Sequence, residues 1–223
     1  VLAVELDADK GAAEPKTRAA AAELQAQLAY RSGDRQAACD WSQKARANYL
    51  NLGDLGGVET CERLLGLAAL AERDPIAARR HLVIAGLLAD LQRNRFPQNR
   101  AGMSRSGYFA RHHFVFEKLI ELALADQQPL QALTLLEESK ARTAQDFLGS
   151  METTGATASI APRATAEWLA DWPADLAAVE YFLGAEQAWV FLIQGGQVTA
   201  YRLLNDQGAP LASRALVTQV QTA

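Results

Sequence analysis

An internal repeat constrains the fold of the first two thirds of this chain more than any other feature. The segment RSGDRQAACDWSQKARANYL (31–50) aligns with AERDPIAARRHLVIAGLLAD (71–90). The alignment brings together one pair of acidic residues and two pairs of small residues: Asp34 with Asp74, Ala38 with Ala78, and Ala45 with Ala85. Repeats with a period of roughly 40 residues are typical of stacked helical hairpins, because one hairpin alone cannot bury its apolar faces.

A third and more distant copy, ADQQPLQALTLLEESKAR (125–142), extends the pattern. It places Ala132 in the same small-residue position, and Pro129 takes the place of Pro75. Both prolines suit the first position of a helix, where the fixed φ and the missing N–H cost little. Gly66 suits a close approach of two helices, since a Cβ there would hold them apart. The sequence therefore predicts about three helix pairs.

Short turns separate the predicted helices. Gly33-Asp34 and Gly53-Asp54 each combine a residue that readily ends a helix with one that can cap the next. The separation between the second and third pairs is longer, and it contains five arginines in RNRFPQNRAGMSRSGYFAR (93–111). We interpret this stretch as a basic loop, while local docking of an acidic partner or a nucleic acid stays open.

The last quarter of the chain has a strand periodicity instead. AAVEYFL (177–183) and QVTAYRL (197–203) alternate, whereas AWVFLI (188–193) is an unbroken apolar run. Gly195-Gly196 predicts a two-residue hairpin turn. Such an apolar run is typical of a strand covered on both faces, so we expect a cover from the helices, from another chain or, preferably, from sequence beyond Ala223.

Composition excludes several classes of function. The net charge of -4 and the pI of about 5.5 argue against a general nucleic-acid footprint, and no apolar run reaches the roughly 20 residues that span a bilayer. Two cysteines are too few for a disulfide scaffold, so we expect a reducing, cytoplasmic setting. Cys39 and Cys61 fall on predicted helices as small apolar residues, and His81 is expected to be an exposed helical histidine. The sequence predicts no catalytic residue, metal site or cofactor.

Binding is the function that the helical pattern favours. Stacked hairpins form a concave surface from the first helix of each pair. By helical phase, seven residues could contact an extended peptide there: Glu23, Gln27, Tyr30, Arg31, Arg63, Glu117 and Glu121. A solvated face that binds nothing is the alternative interpretation.

Two families resemble parts of this chain. The Leu65-Gly66 pair, the small-residue positions and the turn aspartates resemble the tetratricopeptide repeat (TPR) over residues 17–148. The period of this chain is longer than that family's usual period of roughly 34 residues. The helix EESKARTAQDFL, a linker and LAAVEYFLGAEQAWVFLIQGGQVTAYRL resemble the start of CHAT domains, which are caspase/separase-like (137–203). That resemblance implies a cysteine peptidase whose His and Cys come later than the segment present here.

The sequence thus predicts a mostly α fold with a TPR-like α-α superhelix (1–148), a linker (149–164) and the truncated N-terminal part of a CHAT-like α/β domain with an antiparallel strand meander (165–223). We expect a protein-interaction or regulatory region without a catalytic dyad of its own. A non-catalytic scaffold that forms oligomers through its exposed C-terminal strands is the alternative. No membrane association is expected.

Overall fold

The computed structural model describes residues 14–95, 105–151 and 165–211, with side chains in the helices described over 14–92, 113–143 and 165–170. Within these ranges the helices are α1 (Pro15–Ser32), α2 (Arg35–Leu52), α3 (Leu55–Ala71), α4 (Pro75–Arg95), α5 (Arg105–Ala125), α6 (Pro129–Met151) and α7 (Thr165–Ala170). The strands are β1 (Ala177–Leu183), β2 (Ala188–Gln194) and β3 (Gln197–Arg202). The predicted fold class, mostly helical with an antiparallel meander at the end, is confirmed.

The chain divides into two compact units, Val1–Val115 and Phe116–Ala223. The boundary falls inside α5, within the region for which the sequence predicts only helical repeats. The helix α6 continues over Gly149 to Met151, and so begins the predicted linker as helix. The arginine-rich stretch is helical at both ends, in α4 as far as Arg95 and in α5 from Arg105, which corrects the interpretation of these parts as a loop. Its centre, 96–104, lies outside the described residues.

The first unit is built from helices that end in the same way at three successive turns. Gly33 and Gly53 adopt the left-handed conformation with φ of 85° and 65°, and Arg73 does so with φ of 61°. At each turn this residue donates its N–H to the carbonyl three residues earlier, and the next residue donates to the carbonyl five residues earlier. These are Schellman turns, which satisfy the last carbonyls of each helix.

An aspartate follows each of these turns and caps the next helix. The carboxylates of Asp34 and Asp74 accept from the backbone N–H three residues later at 3.0 and 2.9 Å. Asp54 accepts from both Gly56 and Gly57 at 3.0 and 3.1 Å. Each cap satisfies N–H groups that have no partner inside the helix. The predicted turn-and-cap role of Asp34 and Asp54 is confirmed, and Asp74 has the same role.

Small residues mark the closest approaches between helices. The predicted small positions of α2 and α4 are all buried: Ala38, Ala45, Ala78 and Ala85. A Cβ on Gly66 of α3 would lie 2.8 Å from the Cγ of Leu82 in α4. Gly66 therefore permits a contact that no larger residue could make without moving the helices apart, as its position in the sequence predicts.

Helix α3 is enclosed by its neighbours. It packs on α2 and α4 and also contacts α1. None of the residues from Leu55 to Ala71 is exposed, whereas α1, α2 and α4 each present an exposed stripe. The polar residues on α3, among them Glu59 and Glu62, must therefore find partners inside the unit.

In the second unit β1, β2 and β3 form an antiparallel sheet in that order. Gly195 and Gly196, with φ of 55° and 74°, make the two-residue turn between β2 and β3, as predicted. One face of this sheet, the inner face, packs on helices. Its core contains Phe182, Phe191 and Ile193 from the strands together with residues of α5, α6 and α7: Ile120, Ala123, Leu124, Ala132, Leu133, Leu136 and Leu169.

The expectation that the apolar run of β2 is covered on both faces holds for one face only within the described residues. Trp189, Phe191 and Ile193 point to the helices. Val190 and Leu192 point the other way and remain half-buried between the side chains of β1 and β3. The unbroken run therefore reflects two apolar faces, of which the helices cover one.

Candidate functional site

A buried carboxylate joins three helices of the first unit. The Glu62 side chain on α3 is 5% exposed. Its Oε1 accepts a hydrogen bond from Nη1 of Arg46 on α2 at 2.9 Å, and its Oε2 lies 2.6 Å from Nδ1 of His81 on α4. Because a carboxylate only accepts, the His81 proton that faces it sits on Nδ1. Nη2 of Arg80 lies 3.3 Å from the other ring nitrogen, Nε2.

This arrangement corrects the expectation for His81. The sequence favours an exposed histidine because two arginines, Arg79 and Arg80, precede it. In the structure its side chain is 13% exposed and turned toward Glu62. The flanking arginines were a poor guide because successive helical residues point about 100° apart. The ring shares the inward side of α4 with Ala78 and Ala85, three residues before it and four after it, which are both fully buried.

A second polar contact links α1 to α2. The Tyr49 hydroxyl donates to Oε2 of Glu23 at 2.7 Å, and the Gln27 amide donates to Oε1 of the same carboxylate at 2.8 Å. Burial, together with the hydrogen bond to Glu23, raises the pKa of the Tyr49 phenol well above its usual value. Glu23 and Gln27, both predicted to contact a peptide, are thus brought together, with the carboxylate already accepting two hydrogen bonds.

The remaining predicted positions of the first unit differ in exposure. Tyr30 is half-buried and Arg31 is exposed, both at the C-terminal end of α1. They share one face of the helix with Glu23 and Gln27, because the four residues are spaced i, i+4, i+7 and i+8. Arg63 on α3 is largely buried, with Nε 3.6 Å from the Oε1 of Glu59.

The predicted positions on α5 belong to the second unit and are engaged there. Glu117 accepts a hydrogen bond from the N–H of Ala185, in the turn between β1 and β2, at 2.8 Å. Lys118 donates to Glu121 at 2.8 Å. Burial raises the pKa of the Glu121 carboxyl, while the neighbouring Lys118 opposes that shift. Glu117 therefore positions a strand turn, a role for which the sequence offered no signal. Contact of these residues with a peptide stays a prediction.

Neither cysteine is prepared for nucleophilic chemistry. Burial, followed by the carboxylates of Glu23 and Glu62, raises the pKa of the Cys61 thiol to about 12. Burial also raises the pKa of Cys39, with further contributions from Glu72 and Asp40. A nucleophilic cysteine needs the opposite shift, because the thiolate is the reactive form. The expectation that both are structural residues is consistent with this environment.

Sequence reasoning missed the roles of Arg46, Glu62 and Tyr49. A signal for Glu62 was present, because it shares a helical face with the buried residues Val58 and Leu65. A carboxylate in a core position requires a partner. The identity of that partner was not readable, since Arg46 and His81 come from helices before and after α3.

The side of the sheet that faces away from the helices, here called the outer face, is a second candidate surface. Its side chains alternate with those of the core: Ala177, Val179, Tyr181, Leu183, Ala188, Val190, Leu192, Gln194, Gln197, Thr199 and Tyr201. None of these residues is charged. Tyr181 and Tyr201 are 58% and 53% exposed, and Val179 and Leu183 are 53% and 51% exposed. An apolar patch of this kind is typical of an interaction site.

Three comparisons with known proteins complete this picture. The chain matched no protein-family model, no curated protein and no solved structure. Among the helices of the described ranges, none is both long and apolar enough to cross a bilayer. Over the same ranges no cluster of three or more His, Cys, Asp or Glu side chains could hold a metal ion.

Proposed function

We propose that this chain is a protein-interaction module, in which TPR-like helical hairpins bind an extended peptide and regulate a CHAT-like domain that begins with the sheet. The observation that carries this proposal is the stacking of α1 to α4 through three successive turns of one geometry. Such stacks present extended surfaces to a ligand without any change in their core.

The peptide site that we propose runs along α1. One face of this helix carries Glu23, Gln27, Tyr30 and Arg31. The proposed site also includes Arg63 on α3, which adds a second cation. The Glu23 carboxylate is held by Tyr49 and Gln27, so it offers a fixed acceptor. Arg31 is exposed and supplies a donor for a carboxylate. We therefore expect a peptide that carries both a carboxylate and hydrogen-bond donors.

A regulatory role is favoured over catalysis by the state of the two thiols. The CHAT resemblance implies a cysteine nucleophile that comes later than this segment. The two thiols that are present are poor substitutes for it, because burial raises the pKa of Cys61 to about 12 and also raises the pKa of Cys39. At neutral pH both remain protonated, and a protonated thiol is a poor nucleophile. We assign both cysteines to the structure of the first unit and not to a reaction.

Peptide binding can be tested with a phage-displayed peptide library selected on the 223-residue chain. The affinity of a selected peptide, labelled with a fluorophore, is then measured by anisotropy for the wild type and for Arg31→Glu. We expect this variant to weaken binding about 10-fold or more, because it replaces a donor by a repelling carboxylate. The matched control is Lys44→Glu on α2, which should bind like the wild type. Equal affinity of all three proteins would contradict the proposed site.

The absence of a catalytic role is tested separately. The chain is incubated with a mixture of fluorogenic peptides at neutral pH, alongside Cys39→Ser and Cys61→Ala. We expect no turnover that depends on either thiol. Turnover that is lost in one of the variants would overturn the assignment of that cysteine, whatever the result of the peptide-binding experiment.

A further inference from the structure

The outer face of the sheet is organised in rows that cross all three strands. The register places Ala177, Gln194 and Gln197 in one row and Val179, Leu192 and Thr199 in the next. A third row consists of Tyr181, Val190 and Tyr201. The charged residues of the strands, Glu180 and Arg202, alternate with these positions and so lie on the other side of the sheet. A partner that covers the outer face would therefore bury no charged side chain of these three strands.

We propose that the outer face binds the outer face of a second copy of this chain, with the two sheets packed face to face. This inference goes beyond the proposed function, because it concerns the second unit only and needs no peptide. Sheets that pack in this way lie about 10 Å apart and nearly aligned. The dimer has two-fold symmetry, so each contact from one copy to the other occurs twice.

The rows determine how the two copies meet. A two-fold axis parallel to the strands, midway between the sheets, places each row against the same row of the second copy. The strand order is reversed across the interface, so β1 of one copy opposes β3 of the other. Tyr181 then faces Tyr201 of the second copy, and Gln194 on the central strand faces its own counterpart. Two amide side chains can hydrogen-bond to each other because each has donors and an acceptor.

The chemistry of the face selects a second copy over a charged partner. A partner with a charged surface would have to bury its charges against side chains that cannot pair with them. An uncharged face avoids this cost against itself. Two tyrosines, each about half exposed, together offer roughly 200 Å², since one aromatic side chain can bury about 150–250 Å² in full. With the aliphatic neighbours, two copies would cover roughly 800–1,000 Å² in total, which is less than stable interfaces bury and is in the range of weak, transient ones.

A weak dimer that dissociates on dilution is therefore the expected state. Sedimentation velocity of the whole chain over about a hundredfold range of concentration should show a shift from monomer to dimer. Tyr181→Glu would place two carboxylates inside the interface and should leave a monomer at every concentration. The control Gln207→Glu adds the same charge at an exposed position outside the face and should dimerise like the wild type. A wild-type chain that stays monomeric would overturn the proposal.

Disulfide trapping tests the geometry and does not depend on the strength of the dimer. Single substitutions Tyr181→Cys and Tyr201→Cys are made in a Cys39→Ser background, with circular dichroism as the check that each variant folds. Face-to-face packing predicts cross-linked dimers mainly in the mixture of the two variants, because residue 181 opposes residue 201. Cross-linking of Tyr181→Cys mainly with itself would overturn the proposed two-fold arrangement, as would the absence of any cross-link.

Discussion

The ring of Tyr49 lies directly over Gly57 at the start of α3. A Cβ on Gly57 would lie 2.3 Å from the ring carbons, whereas one on the adjacent Gly56 would meet only side-chain oxygens, those of Gln92 at 3.1 Å and of Asp54 at 3.3 Å. We therefore expect Gly57→Ala to lower the free energy of unfolding by about 1–3 kcal/mol, because Tyr49 must leave its place beside Glu23. Urea denaturation measures the change. Gly56→Ala serves as the control and should change the free energy of unfolding by less than about 1 kcal/mol, because the higher helix propensity of alanine offsets a small shift of two side-chain ends.

Arg73 occupies the turn position that glycine takes at the two preceding turns. Its φ of 61° is unfavourable for a residue with a Cβ. Replacement by glycine should raise the free energy of unfolding by about 0.5–1 kcal/mol, after the greater flexibility of glycine in the unfolded chain is taken into account. Thermal and urea denaturation both report this change. Arg73→Ala keeps the Cβ, so a similar gain in that variant would show that strain at this position is not the cause.

The raised pKa of Cys61 has a consequence for stability in alkali. The folded chain holds the thiol proton up to about pH 12, whereas the unfolded chain releases it above about pH 8.5. The thiol therefore contributes stability that is complete below about pH 8.5 and is lost as the pH rises toward 12. Over this range the free energy of unfolding falls by up to about 1.4 kcal/mol per pH unit. Cys61→Ala lacks this dependence, so the gap between the two proteins in urea denaturation should narrow from about pH 8 to about pH 10. A constant gap would contradict the assignment.

Among the helices, Glu62 acts as the common partner of α2 and α4. Glu62→Gln removes the charge that pairs with Arg46 and leaves the buried His81 with a weaker acceptor. We expect a loss of about 1–3 kcal/mol in the free energy of unfolding, since Arg46 remains partly hydrated. Circular dichroism in urea measures it. The matched control is Glu72→Gln at the exposed end of the same helix, for which we expect a change within about 0.5 kcal/mol. Equal losses of stability in the two variants would argue against a special role of Glu62.

The elements that could be predicted from the sequence are those with local causes. The turns at Gly33-Asp34 and Gly195-Gly196 could be predicted because each needs a positive φ, which glycine adopts readily. Glu117 could not be assigned in this way, since its partner Ala185 is 68 residues away. Local chemistry fixes where a helix ends, but a contact between distant segments depends on how the elements pack. The candidate peptide site was predicted from helical phase alone, which does not show whether a side chain already has a partner. Several of its residues therefore proved to be hydrogen-bonded within the chain.

At the scale of the whole molecule, the two units differ in how they hold their cores. The first unit uses small residues such as Ala45 and Gly66, so its helices lie close and its polar side chains pair across them. The second unit uses large residues, with Phe182 and Phe191 of the sheet packed on the helices. The sequence predicted the change of periodicity between these regions. It could not predict that part of α5 belongs with the sheet, because no residue within α5 interrupts the helix.

The distribution of aromatic residues has an optical consequence. Of the four tryptophans, Trp168, Trp172 and Trp189 lie in the second unit, the first two with ring centroids 5.5 Å apart. Trp41 alone lies in the first unit, beneath the ammonium group of Lys44. Intrinsic emission therefore records the environment of the sheet and its covering helices far more than that of α1 to α4. In a Trp41→Phe variant all indole emission would come from the second unit, so the unfolding of that unit could be followed by itself.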